Sequence, residues 1–275
     1  MLLTFRRSAL KYLLPIALWA ILFSPDSQAC SRTIQVGVSP ITQSLIVSKD
    51  QVQGGIYIDA LREVSRKTGC KFDFIEAPFV RTLHMFSVSH EVDLIPIAIQ
   101  RTQLEQAGDF IPIVKSRIAL ISYGGALNDP IKAMERGELK INIVRGAPYA
   151  STAYIELIQR LRQQGALEEV AEPNIIARKL QAGRIHAAIM PPTTFYQAML
   201  ENQLDPKQVH ITLLTQIPLV QAGAYLSKTR LTPTDYALLH KALSSQFQSP
   251  AFWQQYKKTY PGWILKGLEP AVLPR

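Results

Sequence analysis

Residues 54–75 read G-G-I-Y-I-D-A-L-R-E-V-S-R-K-T-G-C-K-F-D-F-I, and residues 77–99 read A-P-F-V-R-T-L-H-M-F-S-V-S-H-E-V-D-L-I-P-I-A-I. Ile58, Leu61 and Val64 recur at helical spacing, and Gly69 stands where a left-handed helix stop belongs. Residues 71–75 form a short β-run with Phe72 and Phe74 on one face. Pro78 is suited to open a second helix, with Val80, Leu83 and Phe86 or Ser87 along one side. Residues 94–99 are an apolar run of strand length. With residues 33–38 ahead of them, the order is β-α-β-α-β. Such alternation predicts an α/β protein with a parallel sheet and helices on its faces.

Outward from this stretch, residues 118–122 are an apolar β-run and residues 140–144 a further strand. Arg145 to Tyr149 make a turn, and residues 151–164 an amphipathic helix with Tyr154, Ile158 and Leu161 inward. A short helix over 174–182 ends at Gly183, and residues 185–190 read as a buried strand. A helix follows from Pro191 to about Asn202, then strands over 209–214 and 219–227. The C-terminal helical pattern starts at Thr232, with Phe252, Trp253 and Tyr256 beyond it.

The order of these elements resembles the bacterial extracellular solute-binding proteins of family 3, the periplasmic binding proteins of polar amino acid ABC transporters. Gly55, Asp59, Leu61, Gly69, Asp93, Thr102 and Phe110 fit the family's pattern, and L-Q-A-G-R-I-H-A-A-I over 180–189 is similar to its L-x-x-G-R-h-D-A-h-h. The resemblance implies a periplasmic binding protein type II fold: two α/β lobes joined by two crossover strands. The expected division is a leader over 1–29, a first lobe over 30–120, a second over 121–218, and a return to the first over 219–275. In the family the polar connection over 39–53 reaches the ligand cleft. A guest in the crevice would contact both lobes and favour their closed form.

The first residues read as an export signal. Arg6, Arg7 and Lys11 precede a mainly apolar run over 12–23, with Ser27 and Ala29 placed for cleavage. That run is short of the roughly 20 residues a permanent span needs. The rival reading is an uncleaved anchor. Removing Arg6, Arg7, Lys11 and Asp26 from 30 basic and 21 acidic residues leaves 27 against 20. The basic residues are scattered, without a run of five, so a solvated surface explains them better than a nucleic-acid footprint. The expected location is the periplasm, and the expected state a monomer.

The two cysteines, Cys30 and Cys70, each lie just before a strand of the β-α-β unit. Adjacent parallel strands start at one sheet edge, which brings the thiols together in an oxidising compartment. The alternative is a lipid anchor on Cys30, although Ser27-Gln28-Ala29 lacks the usual leucine three places ahead. His84, His90, His186, His210 and His240 lie in separate elements without ligand spacing, so neither a metal nor a cofactor is expected.

The site carries a departure from the family. Members that bind α-amino acids pair the carboxylate with an arginine after the threonine of T-x-E-R; here Leu104 or Glu105 takes that place. The aspartate that holds the ammonium is replaced by Pro191. Arg81, Arg101 and Arg145 are the candidate substitutes, each suited to a bidentate anion contact. Ala98, Gln100 and Thr102 follow the third strand, where parallel sheets place ligands. Gly146 and Ala147 offer backbone N–H groups at a strand-to-helix turn. Tyr57 and Tyr149 are candidate aromatic walls. The expected activity is capture of a small polar or anionic, amino-acid-like solute for an ABC permease, without catalysis. Two rivals stand: a sensory module for a membrane receptor, and a cyclic-acid dehydratase on the same fold, for which Glu105 is the remaining acid–base candidate.

Overall fold

The computed structural model describes residues 29–39, 46–48, 51–145 and 151–272. The leader and the turn residues Gly146, Ala147 and Tyr149 lie outside them. The first part of the chain forms β1 (Ile34–Val38), β2 (Ile46–Ser48), β3 (Gln51–Gly54), α1 (Ile56–Thr68), β4 (Phe72–Glu76), α2 (Phe79–Ser87), β5 (Leu94–Ile99), α3 (Thr102–Ala107) and β6 (Gly108–Ser116). The middle forms β7 (Ala119–Tyr123), α4 (Pro130–Glu135), β8 (Ile141–Val144), α5 (Thr152–Gln163), β9 (Leu167–Val170), α6 (Pro173–Gln181), β10 (Ala187–Met190), α7 (Pro192–Glu201) and β11 (Val209–Leu213). The last part forms β12 (Val220–Ser227), α8 (Pro233–Phe247), α9 (Pro250–Thr259), α10 (Gly262–Leu265) and β13 (Leu268–Pro270).

These elements build two sheets, each the centre of one lobe. The first has the order β13-β6-β12-β5-β1-β4, and the second β11-β7-β10-β8-β9. β1 is parallel to both β4 and β5, as the β-α-β-α-β reading expects. In the second sheet β8 is parallel to β9 and β10. The chain leaves the first sheet after Ser116 and enters the second at Ala119; it returns between Leu213 and Val220. β2 and β3 pair as a separate antiparallel hairpin, so part of the stretch read as a polar connection is strand.

Local chemistry explains the element ends. Gly69 closes α1 at φ 73°, a conformation that costs glycine nothing. Proline stands in the first turn of α4, α6, α7, α8 and α9, where its missing N–H is harmless. Ser151, Thr232 and Ser249 each accept from a backbone N–H two or three places into the helix. α1 buries Ile58, Leu61 and Val64 completely, and each such side chain stabilises the lobe by about 1.5–3 kcal/mol. The return of the chain completes this first core: Leu239, Leu243, Phe252 and Tyr256 pack into it.

The parallel β1–β4 pair sets Cys30 and Cys70 at one sheet edge, and they form a disulfide with a Cα–Cα separation of 4.7 Å. The C-terminal segment also reaches the other lobe. Trp263 and Tyr260 meet Tyr196 of α7 at ring-centroid distances of 6.0 and 5.8 Å.

Candidate functional site

A cleft of about 1220 Å³ lies between the two sheets. Its walls are the carboxyl ends of four strands. From the first lobe, residues 74–80 follow β4 into α2, and residues 97–99 end β5. From the second, Val144 and Arg145 end β8, and residues 190–191 lead from β10 into α7. Val114, Ser116, Val220 and Ala222 line it from β6 and β12, the strands that flank the two passages. Ligands of open α/β sheets sit beyond strand carboxyl ends, where the loops are free to vary. The volume exceeds the roughly 300–1,000 Å³ of ordinary ligand pockets.

The two walls differ in chemistry. The first-lobe wall is almost wholly apolar, with Phe74, Phe79, Val80 and Ile97 prominent; among its described residues Glu76 is the one charged side chain. The second-lobe wall carries Arg145, Glu172, Asn174, Thr193, Thr194, Gln197 and Glu201. Pro191 and Pro192 end β10 and start α7 at the cleft, so successive turns of α7 bring Thr194, Gln197 and Glu201 to its surface.

A small polar network forms there. Asn174 Nδ2 donates to Glu201 Oε2 at 2.5 Å, and Gln197 Nε2 donates to the other carboxylate oxygen. Asn202 Nδ2 supports Asn174 Oδ1 at 3.0 Å. This leaves Gln197 Oε1 buried without a hydrogen-bond partner among the described residues. An orphaned buried acceptor costs about 1–3 kcal/mol.

The residues singled out from sequence are dispersed. Ala98, Arg145 and Pro191 line the cleft. Tyr57 borders it too, but its ring is buried among Phe247, Phe252 and Tyr256 as part of the first core. Arg81 is not among the cleft-lining residues; its guanidinium pairs with Glu91 at 2.9 Å on an exposed face. Gln100, Arg101 and Thr102 line a second cavity of about 290 Å³ beside the passage, with Glu105 and Ser151. There Gln100 donates to Glu105 at 2.6 Å, and the Arg101 guanidinium stands 5.5 Å from the Phe79 ring centroid, a cation–π contact. Leu104 is buried in the packing between α3 and α2.

Tyr225 of β12 fixes the start of this loop. Its hydroxyl accepts from Arg101 N at 2.8 Å and donates to Arg101 O at 3.4 Å. Burial pushes the phenol pKa up to about 12, so it stays a neutral donor. Among the described residues no group of three or more His, Cys, Asp or Glu side chains could hold a metal ion.

No protein-family model matches the sequence, and no curated protein matches it. Solved structures do match in shape. A histidine kinase sensor domain with similarity to periplasmic binding proteins aligns at TM-score 0.61 and 16% identity, over 89% of this chain and 98% of the other. The substrate-binding protein of an amino acid ABC transporter aligns at TM-score 0.60 and 17% identity, over 86% and 99%. The arginine-, lysine- and histidine-binding protein ArtJ from the thermophilic bacterium Geobacillus stearothermophilus aligns at TM-score 0.63 and 14% identity, over 84% and 97%. The chain has the two-lobed periplasmic binding protein type II fold of these structures. At such identities the likeness is one of fold.

Proposed function

We propose that the protein captures a small solute between its lobes and passes it, or news of it, to a membrane partner. One observation carries this reading: a large cleft is walled by the strand ends of both sheets, and among the described residues two passages of chain join those sheets. A guest touching both walls gains contacts in the closed form that the open form lacks, so binding and closure are one equilibrium. The reading assigns no catalysis. Export through the leader over 1–29, a periplasmic location and an ABC permease as partner belong to it. The family resemblance and the solved binding proteins of the same fold support these assignments.

A thermal-shift screen of amino acids, amines, dicarboxylates and small peptides tests the capture itself. A guest at about 100 times its Kd adds about 2.7 kcal/mol to the folded state. Absence of any shift across the panel would count against solute capture.

The second reading, a sensory module, is favoured by the kinase sensor domain that aligns over 98% of its own length. The two differ in the partner. Crosslinking in membranes to a permease supports transport; crosslinking to a sensor kinase supports signalling.

A further inference from the structure

We infer that the guest is an amphipathic cation: an amine or guanidine head held by α7, and an alkyl or aryl body laid against the first lobe. This rests on the solute-capture reading and names the ligand class for that cleft. It narrows the small polar or anionic, amino-acid-like guest expected from sequence to its cationic side.

Three independent features of the cleft point the same way. The first is charge. Arg145 is the one basic side chain among the described cleft-lining residues, against the carboxylates of Glu76, Glu172 and Glu201. Arg81 is engaged by Glu91 outside the cleft, and Arg101 lines the neighbouring small cavity over Phe79.

The second is hydrogen-bond polarity. Gln197 Oε1 is a buried acceptor without a partner among the described residues, in a side chain that lines the cleft. Its amide orientation is set by chemistry, because Nε2 donates to the Glu201 carboxylate and an oxygen there would face another oxygen. Glu201 takes one donor on each oxygen, from Asn174 and Gln197, and a carboxylate accepts about four. Glu201 is exposed and has acceptor capacity left for the several N–H donors of an ammonium or guanidinium; Gln197 Oε1 joins it when the side chain turns toward the guest. A carboxylate guest would meet the acceptors of Gln197 and Glu201 at this position, with the Thr194 hydroxyl as a neighbouring donor.

The third is the opposite wall. Phe74, Phe79, Val80 and Ile97 present apolar surface; among the described lining residues Glu76 is the one charged side chain of this wall, and the Arg101 guanidinium stacks on the Phe79 ring from the neighbouring cavity. A guest with a second charge at its far end would set that charge against this wall, which is costly in a desolvated cleft. A guest that is apolar at one end and cationic at the other satisfies both walls.

Isothermal titration of the purified chain tests this with matched probes: 4-phenylbutylamine and tryptamine, their carboxylate counterparts 4-phenylbutyrate and indole-3-acetate, and L-arginine, L-glutamine and L-glutamate. The amines are expected to bind at least tenfold more tightly than the matched acids. Glu201→Gln and Gln197→Met are expected to weaken the amines about tenfold or more and leave the unliganded chain folded, with at most a small fall in melting temperature from the altered Gln197–Glu201 hydrogen bond, since Glu201 is exposed. Tighter binding of an acid or of an amino acid overturns the cationic assignment and leaves solute capture standing. Unaltered amine affinity in both variants overturns the role given to α7. Binding of no probe at all overturns both the ligand class and the capture reading on which it rests.

Discussion

Arg230 donates from Nε to Asp93 Oδ1 at 2.7 Å, joining the end of β12 to the start of β5 across 137 residues of chain. Arg32 takes both oxygens of the same carboxylate at 2.7 and 2.8 Å, and Gln35 N donates at 2.8 Å. The Asp93 side chain is fully buried, while its two arginines reach solvent. The carboxylate thus ties the start of β1, the start of β5 and the returning β12 into one lobe. Asp93→Asn keeps the shape and removes the charge. Uncoupling a buried ion pair costs about 3–5 kcal/mol, and solvent access of the arginines places this case at the low end. Urea unfolding of Asp93→Asn should show a loss of about 3 kcal/mol; a loss under 1 would refute the tie.

The same group sets an acid limit. Burial pushes the Asp93 carboxyl up, but the hydrogen bonds from Arg32, Gln35 N and Arg230 outweigh it and hold its pKa below the usual value. A depressed folded pKa means the unfolded chain takes up the proton first. The stabilisation is therefore whole above the ordinary carboxylate pKa of about 3.9 and is lost as pH falls through the lower folded value. Stability followed from pH 6 to pH 2 should fall less steeply in Asp93→Asn than in the parent. Parallel curves would assign the acid sensitivity to other carboxylates.

Cys30 and Cys70 close a loop of 40 residues over β1, the β2–β3 hairpin and α1. Removing a bridge over such a loop typically costs about 2–5 kcal/mol, mainly by freeing the unfolded chain. Reduction, or Cys30→Ser with Cys70→Ser, should lower the melting temperature by several degrees. An unchanged melting temperature with intact thiols in the parent would contradict the bridge.

Gly223 sits in β12 between β5 and β6, where a Cβ would stand 2.1 Å from Ile111 O. That neighbour is backbone of the paired strand and cannot rotate away. Gly223→Ala should cost about 1–3 kcal/mol and perturb the strand that returns from the second lobe. A neutral outcome in thermal unfolding would show that β6 and β12 part more easily than their pairing implies.

These residues also mark how far the sequence could be read. The parallel core was legible because α1 and its flanking strands carry clean periodicity, and Gly69 and the prolines punctuate them. Asp93 was visible as a position in a family pattern, but not as the centre of a charge network; Arg32 and Arg230 lie 198 residues apart, a separation local patterns cannot span. β6 was missed because Pro112 and Lys115 interrupt its apolar alternation, while its pairing with β12 and β13 supplies the order. The site was the least legible part. Arginines were weighed because the family's charged anchors are absent, whereas the cleft is lined by Gln197 and Glu201, which look like ordinary surface residues of a helix. Their i, i+4 spacing after Pro191 was the available signal. Nothing in the sequence shows which face of that helix meets the cleft.

Closure of the two lobes on a guest would make the molecule more compact, a change that small-angle X-ray scattering reads. The radius of gyration should be measured for the purified chain alone and with saturating 4-phenylbutylamine. Closure predicts a smaller radius with the amine, and in Gln197→Met the same change reached only at about tenfold higher amine concentration. An unchanged radius in the parent at a concentration where calorimetry shows the site filled would mean that the lobes do not close on the guest.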